Sequence, residues 1–166
     1  MNLSAINFIL SFAAALVLHE LGHLLAARVC RVPVTDAGFG WGPRLFGVRV
    51  KGINYQLRAL PIGGYIRMDM SALQRRPLLQ QLFVLLAGVA VNFILSGIAW
   101  GTFFGTINLL LAVGNLFPLY QQDGWKSGMV IWRSVFRRTS PLVEWSFTLS
   151  AGALAFLVVA SSFFTY

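Results

Sequence analysis

Residues 77–122 run for 46 positions without one Asp, Glu, Lys, Arg or His. As a single helix this stretch would be ~69 Å long, about twice the ~30 Å hydrocarbon core of a bilayer. It therefore has to fold back on itself. Gly101-Thr102-Phe103-Phe104-Gly105 is the natural place for that, with spans expected at residues 79–100 and 106–119. Apolar segments at 6–27 and 142–163 bring the expected number of spans to four. No basic residues precede the first of these, so it reads as a retained helix and not as a secretory signal. The composition agrees: 57% of the 166 residues are hydrophobic and 11% charged, with a mean hydropathy of +0.72. That is too apolar for one water-soluble domain.

Between the first two spans the texture changes. Residues 31–76 are punctuated by Gly, Pro and Arg, with alternating runs at 45–51 and 53–60 around Gly52. A β-hairpin is expected, within a β region of about 33–68, with a turn at Pro61-Ile62-Gly63-Gly64-Tyr65 and a further short strand after it. The expected fold is thus an α-helical multi-pass membrane protein. It has four transmembrane helices and a small membrane-associated β-hairpin region between the first and second, all in one domain covering 1–166.

All 13 Lys and Arg fall into two groups, nine within residues 28–76 and four within 126–138. Four spans with both groups cytoplasmic satisfy the positive-inside rule and put both termini outside. Residues 125–138 mix Lys126, Arg133, Arg137 and Arg138 with apolar side chains, the pattern of a helix lying near a membrane surface. The net charge of +8 belongs to this topology and to anionic lipid headgroups. No soluble module combines clustered bases with stacking aromatics, so a nucleic-acid partner is not expected.

Inside the first span lies His19-Glu20-Leu21-Gly22-His23, which contains the only two histidines of the chain. Residues four apart on a helix stand one above the other, so His19 and His23 can present two imidazole nitrogens to one Zn²⁺. Glu20 sits about 100° further round, where its carboxylate can take a proton from a water activated by the metal. The competing reading is a pair of satisfied histidines on a buried helix. Three ionisable groups in five residues of an apolar segment favour function. Zinc needs a third protein ligand, and Asp36, Asp69, Asp123 and Glu144 are available. Cys30 lies ~10 Å beyond His23 along the helix, too far to share its metal. Depth in the membrane favours Asp123 or Glu144 without choosing between them.

Asn115-Leu116-Phe117-Pro118-Leu119-Tyr120-Gln121-Gln122-Asp123-Gly124 resembles the Asn-x-x-Pro-x-x-x-x-Asp-Gly signature of the site-2 proteases, intramembrane zinc metalloproteases. The His-Glu-Leu-Gly-His stretch, the Gly63-Gly64-Tyr65 loop and the small-residue run Ala87-Gly88-Val89-Ala90-Val91-Asn92 are similar to that family's other marks, in the same order. Val89 stands where the family usually has Pro, and Gln122 and Trp125 flank Asp123-Gly124 where Leu and Gly are usual. The resemblance implies that His19, His23 and Asp123 bind zinc, that Glu20 is the general base and that Asn115 steadies the substrate carbonyl or its oxyanion. It implies cleavage of a single-span membrane protein in or near its transmembrane segment, in a bacterial-type cytoplasmic membrane, with the active site near the cytoplasmic face and the hairpin around residues 45–60 presenting an edge, at 53–59, to substrate. The short turn between the second and third spans leaves no space for a PDZ module, so a minimal core is implied. The alternative is a catalytically silent zinc-binding membrane scaffold or assembly factor. A carrier is weaker, because four spans show no internal repeat.

Overall fold

The computed structural model describes residues 3–117, 119 and 121–136, together with 142, 145, 146, 149 and 153. The expected fourth span at 142–163 lies largely outside the described residues, and Pro118, Arg137, Arg138 and Glu144 lie wholly outside them. The chain forms α1 (Leu3–Val29), β1 (Val34–Val50), β2 (Ile53–Met68), α2 (Met70–Gln74), α3 (Leu78–Ile98), α4 (Phe103–Leu116) and α5 (Asp123–Phe136).

Two of these helices, over residues Ala5–Val29 and Leu78–Ile98, are long and apolar enough to cross a membrane. Only 28% and 33% of their most apolar windows are buried within the fold. The core helix of a soluble protein would be mostly covered. Here Phe8, Leu10, Leu25, Phe83, Ile94 and Ile98 point outward uncovered, a surface that suits lipid.

The expected third span has the length the sequence suggested but lies three residues earlier, at Phe103–Leu116. α4 has 14 residues, ~21 Å at 1.5 Å each, less than a full hydrocarbon core. Thr102 caps its start by accepting a hydrogen bond from the Gly105 amide at 3.1 Å, and so it begins earlier than residue 106. The helix is over by Phe117. A helix is also found where one was expected at 125–138: α5 starts at Asp123 and is described to Phe136.

α1 stops at a left-handed residue. Arg31 has φ 53°, and the Val32 and Arg31 amides donate back to Ala27 and Arg28 carbonyls at 2.8 and 3.0 Å. This is a Schellman-type ending, followed two residues later by Pro33. Cys30 is buried at this end, in a core built from Ala26, Ala27, Leu73, Val84, Leu85 and Val130.

The hairpin departs most from expectation. β1 and β2 pair antiparallel along their whole length, from Val34 opposite Met68 to Val50 opposite Ile53. β2 runs through residues 61–65 without interruption but bends there, so that 64–68 follows as the expected further short row. Yet Asp36, Ala37, Gly38 and Phe39 also partner Asn54, Tyr55, Gln56 and Leu57. Numbers rise together in this second pairing, so that contact runs parallel. The long hairpin has bent and folded back beside itself, giving four rows in the order 64–68, 36–39, 54–57, 46–50. The bend falls where Gly40, Gly42 and Gly63 have φ of 93°, 85° and 87°, values open to glycine at little cost. Residues 54–57 are thus paired on both sides. The edge expected at 53–59 is interior, and the outer rows are 46–50 and 64–68.

Candidate metal centre

α1 and α3 pack so closely that a Cβ on Gly22 would come within 2.8 Å of the Ala87 carbonyl. This contact turns the His19–His23 face of α1 towards α3. Gly88 of α3 lies directly beneath the two imidazoles, and a Cβ there would overlap His23 Nε2 and the His19 ring edge. A side chain on α3 would fill the site. Glycine leaves it open.

Asp123, the first residue of α5, enters from the far side of the chain. Its Oδ2 is 3.1 Å from His19 Nε2 and 3.0 Å from His23 Nε2, and the two nitrogens are 3.3 Å apart. All three residues are buried, at 4%, 6% and 6% exposure. His23 Nδ1 lies 2.8 Å from the Val84 carbonyl. A carbonyl only accepts, so Nδ1 carries the proton and a neutral His23 turns a bare lone pair towards the cluster. A carboxylate oxygen and an imidazole lone pair that converge, with His19 Nε2 beside them, suit a cation. Two nitrogens and one carboxylate oxygen, with ligand atoms within 4.8 Å of one another, are a donor set of the type that holds Zn²⁺ and leaves a fourth position open.

The cluster faces a cavity of about 730 Å³ whose wall includes Glu20, Asn115, Gln121, Trp125, Lys126 and the backbone of Gly64. Glu20 stands at its boundary, because it also lines a second, largely apolar cavity of about 330 Å³ between α1 and the folded-back hairpin. A Cβ on Gly64 would come within 2.6 Å of Glu20 Cγ, so the 64–68 row runs against the glutamate. Asn115 donates one amide hydrogen to the Leu111 carbonyl at 2.9 Å, and the other has no partner among the described residues. Lys126 Nζ is 3.5 Å from Asp123 Oδ1, the oxygen turned away from the histidines.

Asp36 and Asp69 are engaged elsewhere. Asp36 accepts from the Thr35 hydroxyl at 2.8 Å and the Asn54 amide at 3.3 Å, contacts that hold its carboxyl below the usual carboxylate range, helped by Arg67. Asp69 caps α2, accepting from the Ser71 hydroxyl and the Ser71 and Ala72 amides. Those bonds, the hydroxyl's above all, lower its pKa. Glu144 is outside the described residues. Sequence reading gave no role to Asn92 or Asn108, both fully buried, with Asn92 Oδ1 2.5 Å from His19 Nδ1. Their signal was present as two amides inside an otherwise apolar stretch, where a polar group needs a partner.

Residues 7–105 match the profile of peptidase family M50, well over half of the chain. The chain belongs to this family, the site-2 proteases. Relatives include a provisionally named zinc metalloprotease of Clostridium perfringens, 35% identical over 53% of this chain and 29% of that protein. The zinc metalloprotease RasP of Geobacillus kaustophilus is 40% identical over 39% of this chain and 15% of its own length. A provisionally named chloroplastic membrane metalloprotease of Arabidopsis thaliana, ARASP2, is 33% identical over 50% and 22% respectively. The matched stretch of this site-2 protease family member spans less than a third of each of these relatives. His19, Glu20, His23 and Asn92 fall inside the family match, whereas Asn115 and Asp123 lie beyond it. The place of those two at the site comes from their geometry.

Proposed function

We propose that the protein is an intramembrane zinc metalloprotease that hydrolyses a peptide bond in or near a transmembrane segment of a single-span membrane protein. The observation carrying this reading is the convergence of His19 Nε2, His23 Nε2 and Asp123 Oδ2 within 3.0–3.3 Å of one another, with Glu20 on the wall of the same cavity. His19, His23 and Asp123 would hold Zn²⁺, which when bound supplies Lewis acidity towards water and the peptide carbonyl. Glu20 takes a proton from the attacking water and returns it to the leaving amine, as general base and then general acid. Asn115 has one amide hydrogen to spare for the oxygen on which charge develops. Lys126 holds Asp123 through the oxygen that faces away from the histidines.

A substrate helix must unwind before its carbonyls become accessible, and its freed backbone groups then need partners. The outer side of row 64–68 pairs with no other strand among the described residues and borders the cavity, so substrate adds there as a further strand. An apolar substrate side chain can enter the cavity of about 330 Å³ on the other side of Glu20. The reading includes four spans, with residues 31–76 and 126–138 cytoplasmic and the site near that face.

The test is zinc per chain together with product mass after incubation with single-span proteins, with and without chelator. Glu20→Gln should keep near-stoichiometric zinc and lose cleavage by about 10²–10⁴ in rate. Asp123→Ala should lose both, and Glu144→Ala should keep both. Cleavage at the original rate by Glu20→Gln would sink the mechanism, and loss of zinc from Glu144→Ala alone would move the third ligand. A chain that binds zinc but cleaves nothing would be a scaffold.

A further inference from the structure

His19 is the start of a chain of amides that leaves the cavity through three helices. Its Nδ1 lies 2.5 Å from Asn92 Oδ1 on α3. Asn92 Nδ2 donates to Asn108 Oδ1 on α4 at 2.7 Å. Asn108 Nδ2 donates to the Phe104 carbonyl at 2.9 Å. Both asparagines are 0% exposed.

An amide's oxygen and nitrogen are alike in shape, so the direction of such a chain has to be set by chemistry. One end here can run only one way. A backbone carbonyl accepts and never donates, so Asn108 turns its NH₂ to Phe104 and its oxygen to Asn92. Asn92 must then give its NH₂ to Asn108, with the Ala15 carbonyl also within 3.5 Å of that nitrogen. Its oxygen is left for His19. That oxygen can only accept, so His19 carries its proton on Nδ1.

We propose that Asn92 and Asn108 are positioning residues that hold His19 as the Nδ1–H tautomer, with its Nε2 lone pair aimed where His23 Nε2 and Asp123 Oδ2 converge. His23 reaches the same state in one step through the Val84 carbonyl. His19, one turn deeper, reaches a backbone carbonyl only through two side chains, the relay ending on Phe104 of α4. The purpose of the relay rests on the zinc reading, but the tautomer does not. Without the relay His19 could turn its N–H towards the metal position, and an N–H is no ligand.

The full chain in detergent micelles, labelled with ¹⁵N-histidine, gives a spectrum of two rings only, since the protein has two histidines. After chelator treatment, above the imidazole titration range, both rings should be protonated at Nδ1. A wild-type His19 protonated at Nε2 overturns the proposal whatever the variants do. Zinc affinity, read by competition with a chromogenic chelator, should fall 10–100-fold in Asn92→Leu. In Asn108→Leu the Asn92 amide is freed to turn, so an Nε2–H signal should emerge for His19, with a smaller loss of affinity and unchanged helical circular dichroism. If both variants keep wild-type affinity and tautomer, the two asparagines only join helices and the proposal is wrong. Should Asn92→Leu not fold, the wild-type spectrum and Asn108→Leu still decide. If the wild type binds no zinc, the metal reading fails and the tautomer assignment is judged separately by the same spectra.

Discussion

A single methyl group at position 88 would occupy the space in which His23 Nε2 and the His19 ring edge lie. Alanine is better than glycine within a helix by about 1 kcal/mol, so Gly88→Ala should leave α3 helical while pushing the imidazoles apart. The expected outcome is near-complete loss of bound zinc, measured per chain by metal analysis, with the circular dichroism of the wild type. Retained zinc in this variant would mean that the histidines approach the metal from another direction. At this scale the legible part was local. The i, i+4 spacing put His19 and His23 on one face of one helix before any fold was known. Gly88 carried no such sign, because a glycine's function here is the volume it leaves to others.

Among the elements, the hairpin is where reading by period stops. Alternation marks strands and a glycine marks their turn, but neither says which rows become neighbours after a bend. Rows 36–39 and 54–57 meet because the strands kink at glycines of positive φ, and so the outer row that borders the cavity becomes 64–68. Neighbouring residues on an edge row direct their N–H groups alternately inward and outward. Of Tyr65→Pro and Ile66→Pro, the one whose N–H points outward should slow cleavage and keep zinc unchanged. Equal turnover in both would leave the row without a substrate role. The cap of α2 gives a prediction in pH. Its Asp69 pKa is lowered, chiefly by the Ser71 hydroxyl, so its contribution is complete above the ordinary aspartate value of about 3.9. It is lost as pH falls through the lower folded value. Amide exchange at Ser71 and Ala72 should stay protected to more acidic pH than in Ser71→Ala, whose Asp69 should titrate closer to the ordinary value.

For the whole molecule, the segregation of 13 basic residues into two groups makes a topological prediction. A cysteine placed at Gly52 should resist a membrane-impermeant maleimide added outside sealed cells, and one placed at Phe103 should react. Native Cys30 is buried and should stay silent. Labelling at 52 from outside would invert the topology and move the site to the other face. The sequence alone determined which segments are apolar enough to enter a membrane, where charge is confined, and which two histidines share a helix face, because all three follow from order along the chain. Depth along the chain left Asp123 and Glu144 open and the motif resemblance pointed to Asp123; the fold brings Asp123, 100 residues beyond His23, against both histidines, and it alone decided that Asn92 and Asn108 stand behind one of them. It also decided that the hairpin turns its last row and not its middle one to the cavity. Those contacts depend on how closely helices approach and where strands bend, and a periodicity of 3.6 or 2 carries no information about either.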